Sequence, residues 1–396
     1  QPMLDFLGYE PEGVKLIRLD SIDFRSVPDL RWPASADDGD LAMVLYTSGT
    51  TGLPKGVMLT HGNIKANIRQ GIEGMAISRR DTFLGVLPQF HSFGVTQLTL
   101  TPLAVGGRVV YTARFQPKKI LTLMREHSVT TFVGIPSMYN ALAMSKDASP
   151  QDVARMRLLV SGGEPLPDAV LQRFEEKFGK TICEGYGMTE MAPATHCATP
   201  GRRKRHSVGP ALPGVEQRIV DPETEAPLGN DQDGEIRMRG PNLMRGYYRD
   251  ADSSRRALDE QGYLRSGDIG RIDRDGFLFI TGRLKEMIIV GGENVFPREV
   301  EEVLTRHPAV SAAGVTGMQD DVRGEVVIAF VECAEEADGS EATPELLRAW
   351  CREHLAGYKC PREVHIVDAL PRNPTGKIMR RELSSLIPTQ DAAAAE

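Results

Sequence analysis

Between residues 41 and 187, short apolar segments alternate with longer amphipathic ones, and this alternation constrains the fold more than any other feature. Runs such as LAMVLY, GRVVY, TTFVGI and RLLVSGG predict buried strands, and glycine-bearing loops follow several of them. A helix is predicted over residues 165–179, because Leu166, Val170, Phe174 and Phe178 lie four apart on one face. Strands that alternate with helices indicate βα units around a buried sheet, which bind ligands in the loops at the strand ends.

The pattern changes further along the chain. Over residues 208–280, shorter strand-like pieces are separated by Pro, Gly and Asp turns, which is typical of a β-rich subdomain. Beyond Lys285 the sequence predicts a helix, two strands, a second helix, a strand and a terminal helix after Lys377. We therefore predict an α/β fold with three parts: a large multi-sheet α/β domain with a β-rich subdomain (1–284), a small mobile C-terminal α+β domain (285–388) and a disordered tail (389–396).

Composition excludes several classes of protein. A net charge of −7 argues against a general nucleic-acid binder, although the basic run RRKR at residues 202–205 is either a solvated loop or an attractor of phosphorylated ligands. We find no apolar run long enough for a membrane span and no signal peptide, so we expect a cytoplasmic protein. The five scattered cysteines lack a C-x-x-C pair and predict reduced thiols rather than a disulfide framework or a zinc site.

The stretch LYTSGTTGLPKGVMLTH has the composition of a phosphate-binding loop. Its glycines let backbone N–H groups converge, its hydroxyls donate further hydrogen bonds, and Lys55 adds a positive charge. It differs from the Walker loop, because Gly52 is followed by Leu53 and Pro54 and the lysine is followed by Gly56. A solvated turn is the alternative interpretation of this stretch by itself.

Seven motifs occur in a fixed order: YTSGTTGLPKG, PQFHSFG, SGGEPLP, EGYGMTE, YLRSGD, TGRLKEMIIVGGENVFPREVE and PRNPTGKIMRREL. As an ordered set over residues 41–383, they resemble the adenylate-forming superfamily of acyl-CoA synthetases, adenylation domains and beetle luciferases. The segments GGENVFPREVE and HSFG are most similar to medium- and long-chain fatty acyl-CoA synthetases. The resemblance implies ATP- and Mg²⁺-dependent activation of a carboxylic acid as an acyl-adenylate, followed by transfer to the thiol of coenzyme A.

The chemistry of the first half-reaction agrees with these motifs. A carboxylate that attacks the α-phosphorus of ATP is already ionised, so the protein must supply positioning and positive charge rather than a general base. The resemblance implies that the departing β- and γ-phosphates are held by the loop residues Thr47, Ser48, Gly49, Thr50, Thr51, Gly52 and Lys55.

The resemblance also assigns the rest of the nucleotide site. Tyr186 would stack on adenine, the Thr189 hydroxyl would contact the α-phosphate, Glu190 would hold Mg²⁺, and Asp268 would bind the ribose diol. The remaining cofactor-binding candidates are Gly162, Gly163, Glu164, Gly185, Gly187, Met188 and Arg283. Taken one at a time, Tyr186 could instead be a core tyrosine, and Asp268 a member of a surface ion pair.

Lys377, in NPTGKIMRREL, is the implied catalytic lysine, which neutralises charge on the α-phosphate and the carboxylate; a solvated lysine is the alternative. Since the thiol must later reach the acyl carbon, the family rotates its small domain, and the matching hinge here is Lys285. That rotation would bring Gly291 and Gly292 beside the pantetheine channel of coenzyme A. An ordinary hairpin turn is the other interpretation of the two glycines.

The acid substrate is the least constrained part of the prediction. PQFHSFG matches the family segment that lines the acyl pocket, which makes His91 and Phe93 candidates, although His91 could be structural. We expect a fatty acid as substrate and coenzyme A as acceptor, with oligomerisation left open. Because only 46 residues precede Thr47, we expect an N-terminal segment to be missing. The alternatives are an enzyme that loads a carrier protein and a truncated nucleotide- or acyl-binding module.

Overall fold

The computed structural model describes residues 35–47, 54–320, 322–334, 342–372 and 377–387. The chain divides into two compact units, Gln1–Asp37 and Asp38–Glu396, and the fold described below belongs to the second. The predicted tail at 389–396 and residues 48–53 of the phosphate loop lie outside the described residues.

The described strands form four sheets. In chain order they are β1 Leu41–Thr47, β2 Lys55–Thr60, β3 Thr82–Gly85, β4 Arg108–Tyr111, β5 Thr131–Gly134, β6 Leu158–Ser161, β7 Cys183–Gly187, β8 Ala194–Cys197, β9 Gly209–Pro210, β10 Glu216–Val220, β11 Gly234–Arg239, β12 Gly246–Tyr247, β13 Leu264–Ile272, β14 Phe277–Arg283, β15 Ile288–Val290, β16 Glu293–Val295, β17 Val310–Asp320, β18 Gly324–Cys333 and β19 Glu363–Ile366.

The helices lie mainly between these strands. The α-helices are α1 His61–Gly74, α2 Ser92–Val95, α3 Thr101–Ala104, α4 Pro117–Glu126, α5 Pro136–Met144, α6 Asp168–Phe178, α7 Ala251–Ala257, α8 Pro297–Thr305 and α9 Pro344–His354. A π-helical turn, Thr96–Leu100, joins α2 to α3, and short 3₁₀ segments cover Pro150–Val153, Thr189–Met191, Leu284–Glu286, Gly357–Lys359 and Arg380–Leu386. Among the described helices, none is long and apolar enough to cross a membrane.

The largest sheet confirms the predicted α/β fold. Its order is β4-β3-β5-β6-β7-β8, with parallel pairing from β4 to β7 and β8 antiparallel at one edge. Strands β3, β5 and β6 are buried throughout, as parallel strands covered on both faces require. Because β5, β6 and β7 are parallel neighbours, their carboxyl ends at Gly134, Ser161 and Gly187 open onto the same edge of the sheet.

Alternate side chains of these strands pack into two separate cores. Phe83 and Val133 belong to one hydrophobic cluster, whereas Leu84 and Phe132, their sequence neighbours, belong to another. The second cluster also receives α6, through Val170, Phe174 and Phe178. The predicted start of α6 at residue 165 is wrong by three residues, because the chain is still extended at Pro167. Leu166 is nevertheless buried with the same face of the helix.

Residues 208–283 form the predicted β-rich part. Strands β10, β11, β13, β14 and β9 pair antiparallel, in that order, into a five-stranded sheet. A smaller antiparallel sheet, with order β1-β2-β12, joins the phosphate-loop strands to this part of the chain through β12. The pairing of β12 with β2 therefore places Gly246 and Tyr247 beside Met58 and Val57, which lie far from them in the sequence.

The C-terminal region (residues 285–387) has the predicted helix, two strands, helix and strand, but two short strands that were not predicted, β15 and β16, precede the first helix. Its sheet runs β16-β15-β18-β17, with β19 parallel to β18, and α8 and α9 contribute Val300, Val303 and Leu347 to one core cluster. The prediction of a terminal helix after Lys377 is wrong in type, because Arg380–Leu386 is a 3₁₀ segment anchored by buried Leu383. The division of the chain at residue 285 and the mobility of the region after it stay predictions.

Candidate functional site

Two cavities meet at the carboxyl edge of the six-stranded sheet. The main cavity encloses about 700 Å³ and extends from Thr47 and Lys55 to the loops after β5, β6 and β7. The side cavity, of about 490 Å³, lies between that sheet edge and the C-terminal region. Residues that line both cavities are Gly163, Glu164, Gly185, Tyr186, Gly187, Arg283, Glu286 and Lys377. Seven of the candidate site residues therefore gather at one junction.

A buried hydrogen-bonded cluster forms one wall of this junction. The Tyr186 hydroxyl on β7 donates to Asp268 Oδ2 (2.5 Å), and Arg283 Nε donates to Asp268 Oδ1 (2.6 Å). Asp268 and Arg283 lie opposite each other in the β13–β14 register, which fixes their spacing. Burial, together with the adjacent Asp268 carboxylate, raises the pKa of Tyr186, and the same carboxylate raises the pKa of Arg283. The tyrosine therefore stays a neutral donor and the arginine stays charged.

Thr189 and Glu190 follow β7 in a short 3₁₀ turn, and each has a partner that the motifs did not indicate. The Tyr247 hydroxyl donates to Glu190 Oε1 (2.9 Å), and the Thr189 and Ser92 hydroxyls lie 3.2 Å apart. Burial and the nearby Glu190 carboxylate raise the pKa of Tyr247, so its hydroxyl keeps its proton. Tyr247 stands next to Tyr248 in RGYYRD, and only a three-dimensional contact distinguishes the two.

The phosphate-loop motif is flanked by two antiparallel strands. Thr47 ends β1 directly opposite Lys55, the first residue of β2, and both line the main cavity. Lys55 Nζ lies 5.0 Å from the centroid of the Tyr247 ring, a cation–π contact. The loop candidates Ser48, Gly49, Thr50, Thr51 and Gly52 lie outside the described residues.

Lys377 lies at the junction of the two cavities. Burial and, to a smaller extent, the positive charge of Arg283 lower the pKa of Lys377. The backbone N–H of the next residue, Ile378, donates to Glu164 Oε1 (3.1 Å), and burial raises the pKa of that carboxyl. Arg380 donates to Glu286 (2.5 Å) and Glu301 (2.7 Å), which ties the lysine's segment to the C-terminal region.

The glycine candidates keep the backbone close to the cavities. Gly162 and Met188 line the main cavity, and Gly163 has a φ of +84°, a conformation that glycine adopts without strain. A Cβ atom at Gly187 would overlap the carbonyl oxygen of Pro193, so only glycine fits there without movement of the loop. Gly185 is the middle residue of β7.

The acid-pocket candidates His91 and Phe93 also line the main cavity. His91 caps α2 by accepting a hydrogen bond from the Phe93 N–H at its Nδ1 (3.3 Å), so it has the structural role named as the alternative. Around them the cavity wall is largely apolar, and it includes Met75, Phe83, Leu87, Val133 and Ile135. This part of the cavity wall offers mainly apolar contacts.

The candidate hinge residue, Lys285, and the glycines predicted beside the coenzyme A channel, Gly291 and Gly292, lie in different places in this structure. Lys285 lines the main cavity, within the 3₁₀ turn between β14 and β15. Gly291 and Gly292, with φ of +61° and +89°, form the tight turn between β15 and β16 and line neither cavity. In this arrangement they are the ordinary hairpin turn that the sequence also allowed.

Among the carboxylates that line the main cavity, Glu190 stays the predicted magnesium ligand. The part of the chain that the structure describes contains no group of three or more His, Cys, Asp or Glu side chains that would hold a metal alone. A single carboxylate fits Mg²⁺ in a nucleotide site, because phosphate and water oxygens complete its coordination. Tyr247 donates to Oε1 of Glu190, and both residues line the main cavity.

Comparisons with known proteins agree with this geometry. The sequence model of the AMP-binding enzyme family matches residues 9–248, and that of the AMP-binding enzyme C-terminal domain matches residues 299–377. The chain is 35% identical to 4-coumarate–CoA ligase 3 of Oryza sativa subsp. japonica, over 97% of this chain and 73% of the relative. It is 36% identical to a long-chain-fatty-acid–CoA ligase of Bacillus subtilis, over 89% of this chain and 62% of the relative.

The fold is also similar to a solved structure. ATP-bound MatB from Rhodopseudomonas palustris superposes with a TM-score of 0.83 at 34% identity, over 88% of this chain and 69% of that protein. The chain therefore spans between 62% and 73% of the length of these three proteins.

Proposed function

Because the chain belongs to the AMP-binding enzyme family, we propose that it is an ATP-dependent ligase that joins a carboxylic acid to coenzyme A. The observation that carries the proposal is the meeting of Lys377 with the Tyr186–Asp268–Arg283 cluster where the side cavity joins the main cavity. A cationic group, a nucleoside-binding carboxylate and an aromatic ring are thus available at a single site.

The nucleotide occupies the junction of the two cavities in this proposal. Tyr186 presents its ring to adenine beside the backbone of Gly162, Gly163 and Glu164, while Asp268 accepts the ribose hydroxyls. Thr47, Lys55 and the loop between them hold the β- and γ-phosphates, as do backbone donors in other phosphate-binding loops. Support comes from the position of Thr47 and Lys55 in the same cavity.

Glu190 holds Mg²⁺, and Tyr247 orients its carboxylate through the 2.9 Å hydrogen bond. When bound, the ion neutralises phosphate charge that accumulates as pyrophosphate departs. The neighbouring Thr189 hydroxyl, held by Ser92, is placed to donate to the α-phosphate.

In the first half-reaction, a carboxylate oxygen of the acid forms a bond to the α-phosphorus. The bond from that phosphorus to the β-phosphate oxygen breaks, and pyrophosphate leaves with the electron pair. Lys377 stabilises the negative charge that develops on the α-phosphate and the attacking carboxylate. In the second half-reaction, the thiol of coenzyme A gives its proton to water and its sulfur forms a bond to the acyl carbon. The bond from that carbon to the phosphate oxygen breaks, and AMP leaves with the electron pair.

The acid is a medium- or long-chain fatty acid in this proposal, with Phe93 and the apolar wall around it in contact with the hydrocarbon chain. Support comes from the lining by Met75, Phe83 and Leu87, which offers few polar partners to a substrate. An aryl acid is the competing class, because the same wall suits an aromatic ring and a 4-coumarate ligase is among the relatives.

The test is AMP release from ATP and Mg²⁺ with acids from acetate to palmitate and simple aryl acids, each with and without coenzyme A. The Lys377→Ala protein provides the background. We expect AMP to accumulate with one acid class and to depend on coenzyme A and Lys377. Transfer to a carrier protein but not to coenzyme A would overturn the acceptor, and thermal stabilisation by an acyl-adenylate analogue without turnover would indicate a binding module.

A further inference from the structure

The Glu164 side chain connects the sheet edge to the segment that carries the catalytic lysine. Resting on the proposed function, we propose that Glu164 is a positioning residue, which holds Lys377 in place for the first half-reaction and has no part in the second. This role belongs to the side chain and is separate from the backbone contact with adenine proposed for the same loop.

The geometry of the contact supports a direct hold on the lysine. Glu164 Oε1 accepts the N–H of Ile378 at 3.1 Å, and Ile378 follows Lys377 directly in the chain. A hydrogen bond from a backbone amide to a carboxylate is charge-assisted and therefore stronger than a bond between neutral groups. It also binds main chain rather than a mobile side chain, so it restricts the backbone from which Lys377 projects.

Three other contacts of this segment lie within the C-terminal region itself. The N–H of Met379 donates to the carbonyl of Pro371 (2.8 Å). Arg372 and Ile378 pair through their backbones in an isolated antiparallel β-bridge. Arg380 bonds to Glu301 of α8, also in the C-terminal region. These contacts would travel with Lys377 if the region moved, whereas the bond to Glu164 would break, because Glu164 belongs to the loop after β6.

The two half-reactions make opposite demands on this bond. Activation of the acid requires Lys377 at the α-phosphate, where the bond to Glu164 is made. Attack by the thiol requires access to the acyl carbon, and the rotation predicted about Lys285 would withdraw the Lys377 segment. Loss of the Glu164 carboxylate should therefore slow the first step without slowing the second.

The experiment measures the two steps separately in Glu164→Ala and Glu164→Gln proteins, with the acid found in the panel above. Pyrophosphate release without coenzyme A reports the first step, and a single turnover of enzyme-bound acyl-AMP with coenzyme A reports the second. We expect Glu164→Ala to lower kcat of the first step about ten- to a hundredfold, because that is the effect of a lost charge-assisted bond. The KM for ATP and the second step should stay within about twofold.

Glu164→Gln should recover most of the rate, because its amide oxygen accepts the same N–H. Glu299→Ala is the matched control, since it removes a carboxylate that pairs with Lys359 (2.7 Å) inside the C-terminal region and away from Lys377. Both steps of that control should change little. Equal losses in both steps of Glu164→Ala, or no recovery with glutamine, would indicate a merely structural role and overturn the proposal.

Amide hydrogen exchange gives a readout that does not depend on turnover. The peptide containing Ile378 should exchange faster in Glu164→Ala than in the unmodified chain, while peptides from α6 stay unchanged. Identical exchange in the two proteins would overturn the proposal. If no acid yields acyl-AMP, the proposed function fails, and the exchange result still decides whether Glu164 holds the segment.

Discussion

The two ends of the main cavity are built differently. At the proposed nucleotide end, where the side cavity joins it, Asp268 is hydrogen-bonded to both Tyr186 and Arg283, and the β13–β14 register sets the spacing of Asp268 and Arg283. At the acid end, Phe83, Val133 and their neighbours form an apolar wall by packing alone. Discrete polar contacts tolerate few substitutions, whereas packing tolerates many residues of suitable volume. The nucleotide end can therefore be common to many relatives while the acid end differs among them.

Replacing the lysine at the junction should give the largest effect. We expect Lys377→Ala to slow the first half-reaction about 10²- to 10³-fold, the usual cost of losing one group that stabilises developing charge. Transfer from preformed acyl-AMP to coenzyme A should be nearly unaffected. Pyrophosphate release and single-turnover thioester formation measure the two steps. Lys118→Ala, which removes an exposed lysine that pairs with Asp147, is the control. A loss below about threefold in the first step would contradict the role of Lys377.

The polar cluster at the nucleotide end should be the next most sensitive. Asp268→Ala removes the carboxylate partner of both Tyr186 and Arg283, which should raise the KM for ATP and lower the free energy of unfolding by about 1–3 kcal/mol. Urea denaturation and ATP titration measure the two effects. The order of preference among acids should not change, which separates this end from the other. Asp275→Ala, at an exposed ion pair with Lys204, should change neither quantity.

A substitution at the proposed acid end should change the preference among acids rather than the binding of ATP. We expect Phe93→Ala to change the preference between two acids by about tenfold, the typical effect of altered apolar contact in a pocket. The KM for ATP should stay the same. Ratios of kcat/KM across the acid panel measure this change. The matched control is Phe90→Ala in the same motif, because Phe90 is 73% exposed. An unchanged preference in Phe93→Ala would remove that residue from the acid pocket.

The pH dependence should give the smallest effect. Burial lowers the pKa of Lys377, with a further contribution from Arg283, so the lysine loses its proton at a lower pH than an exposed lysine does. Because the protonated form carries the charge, the rate of the first step should fall as pH rises through that lowered pKa. In Lys377→Arg the guanidinium stays charged, so the residual rate should lack this alkaline decline. A decline at the same pH in both proteins would assign it to another group.

Sequence reasoning reached the fold and much of the nucleotide end. The period of apolar residues indicated the strands and helices, since burial of one face is a local property of the sequence. The family resemblance predicted that Tyr186, Asp268, Arg283 and Lys377 share one site, and all four line the side cavity. Helix ends were less predictable: the extended backbone at Pro167 moves the start of α6 to Asp168, and packing of Leu383 accompanies a 3₁₀ segment rather than an α-helix.

The contacts that sequence reasoning missed join residues far apart in the chain. Tyr247 bonds to Glu190 across 57 positions, and Ile378 bonds to Glu164 across 214. Neither pair belongs to one motif, and a tyrosine or a glutamate beside a glycine has many other uses. The partners follow only from the pairing of β12 with β2 and from the docking of the Lys377 segment. Such pairings depend on tertiary structure, which local patterns do not encode.

The glycine at position 187 has a consequence for attempts to redesign the enzyme. Any side chain there would displace the carbonyl of Pro193, and the loop between these residues carries Thr189 and Glu190. A substitution at Gly187 would thus shift, through the main chain, the two residues proposed to contact the α-phosphate and Mg²⁺. Libraries that aim to change acid selectivity should therefore keep glycine at position 187. They should instead vary Phe93, Met75 and Leu87, because these residues lie outside that loop.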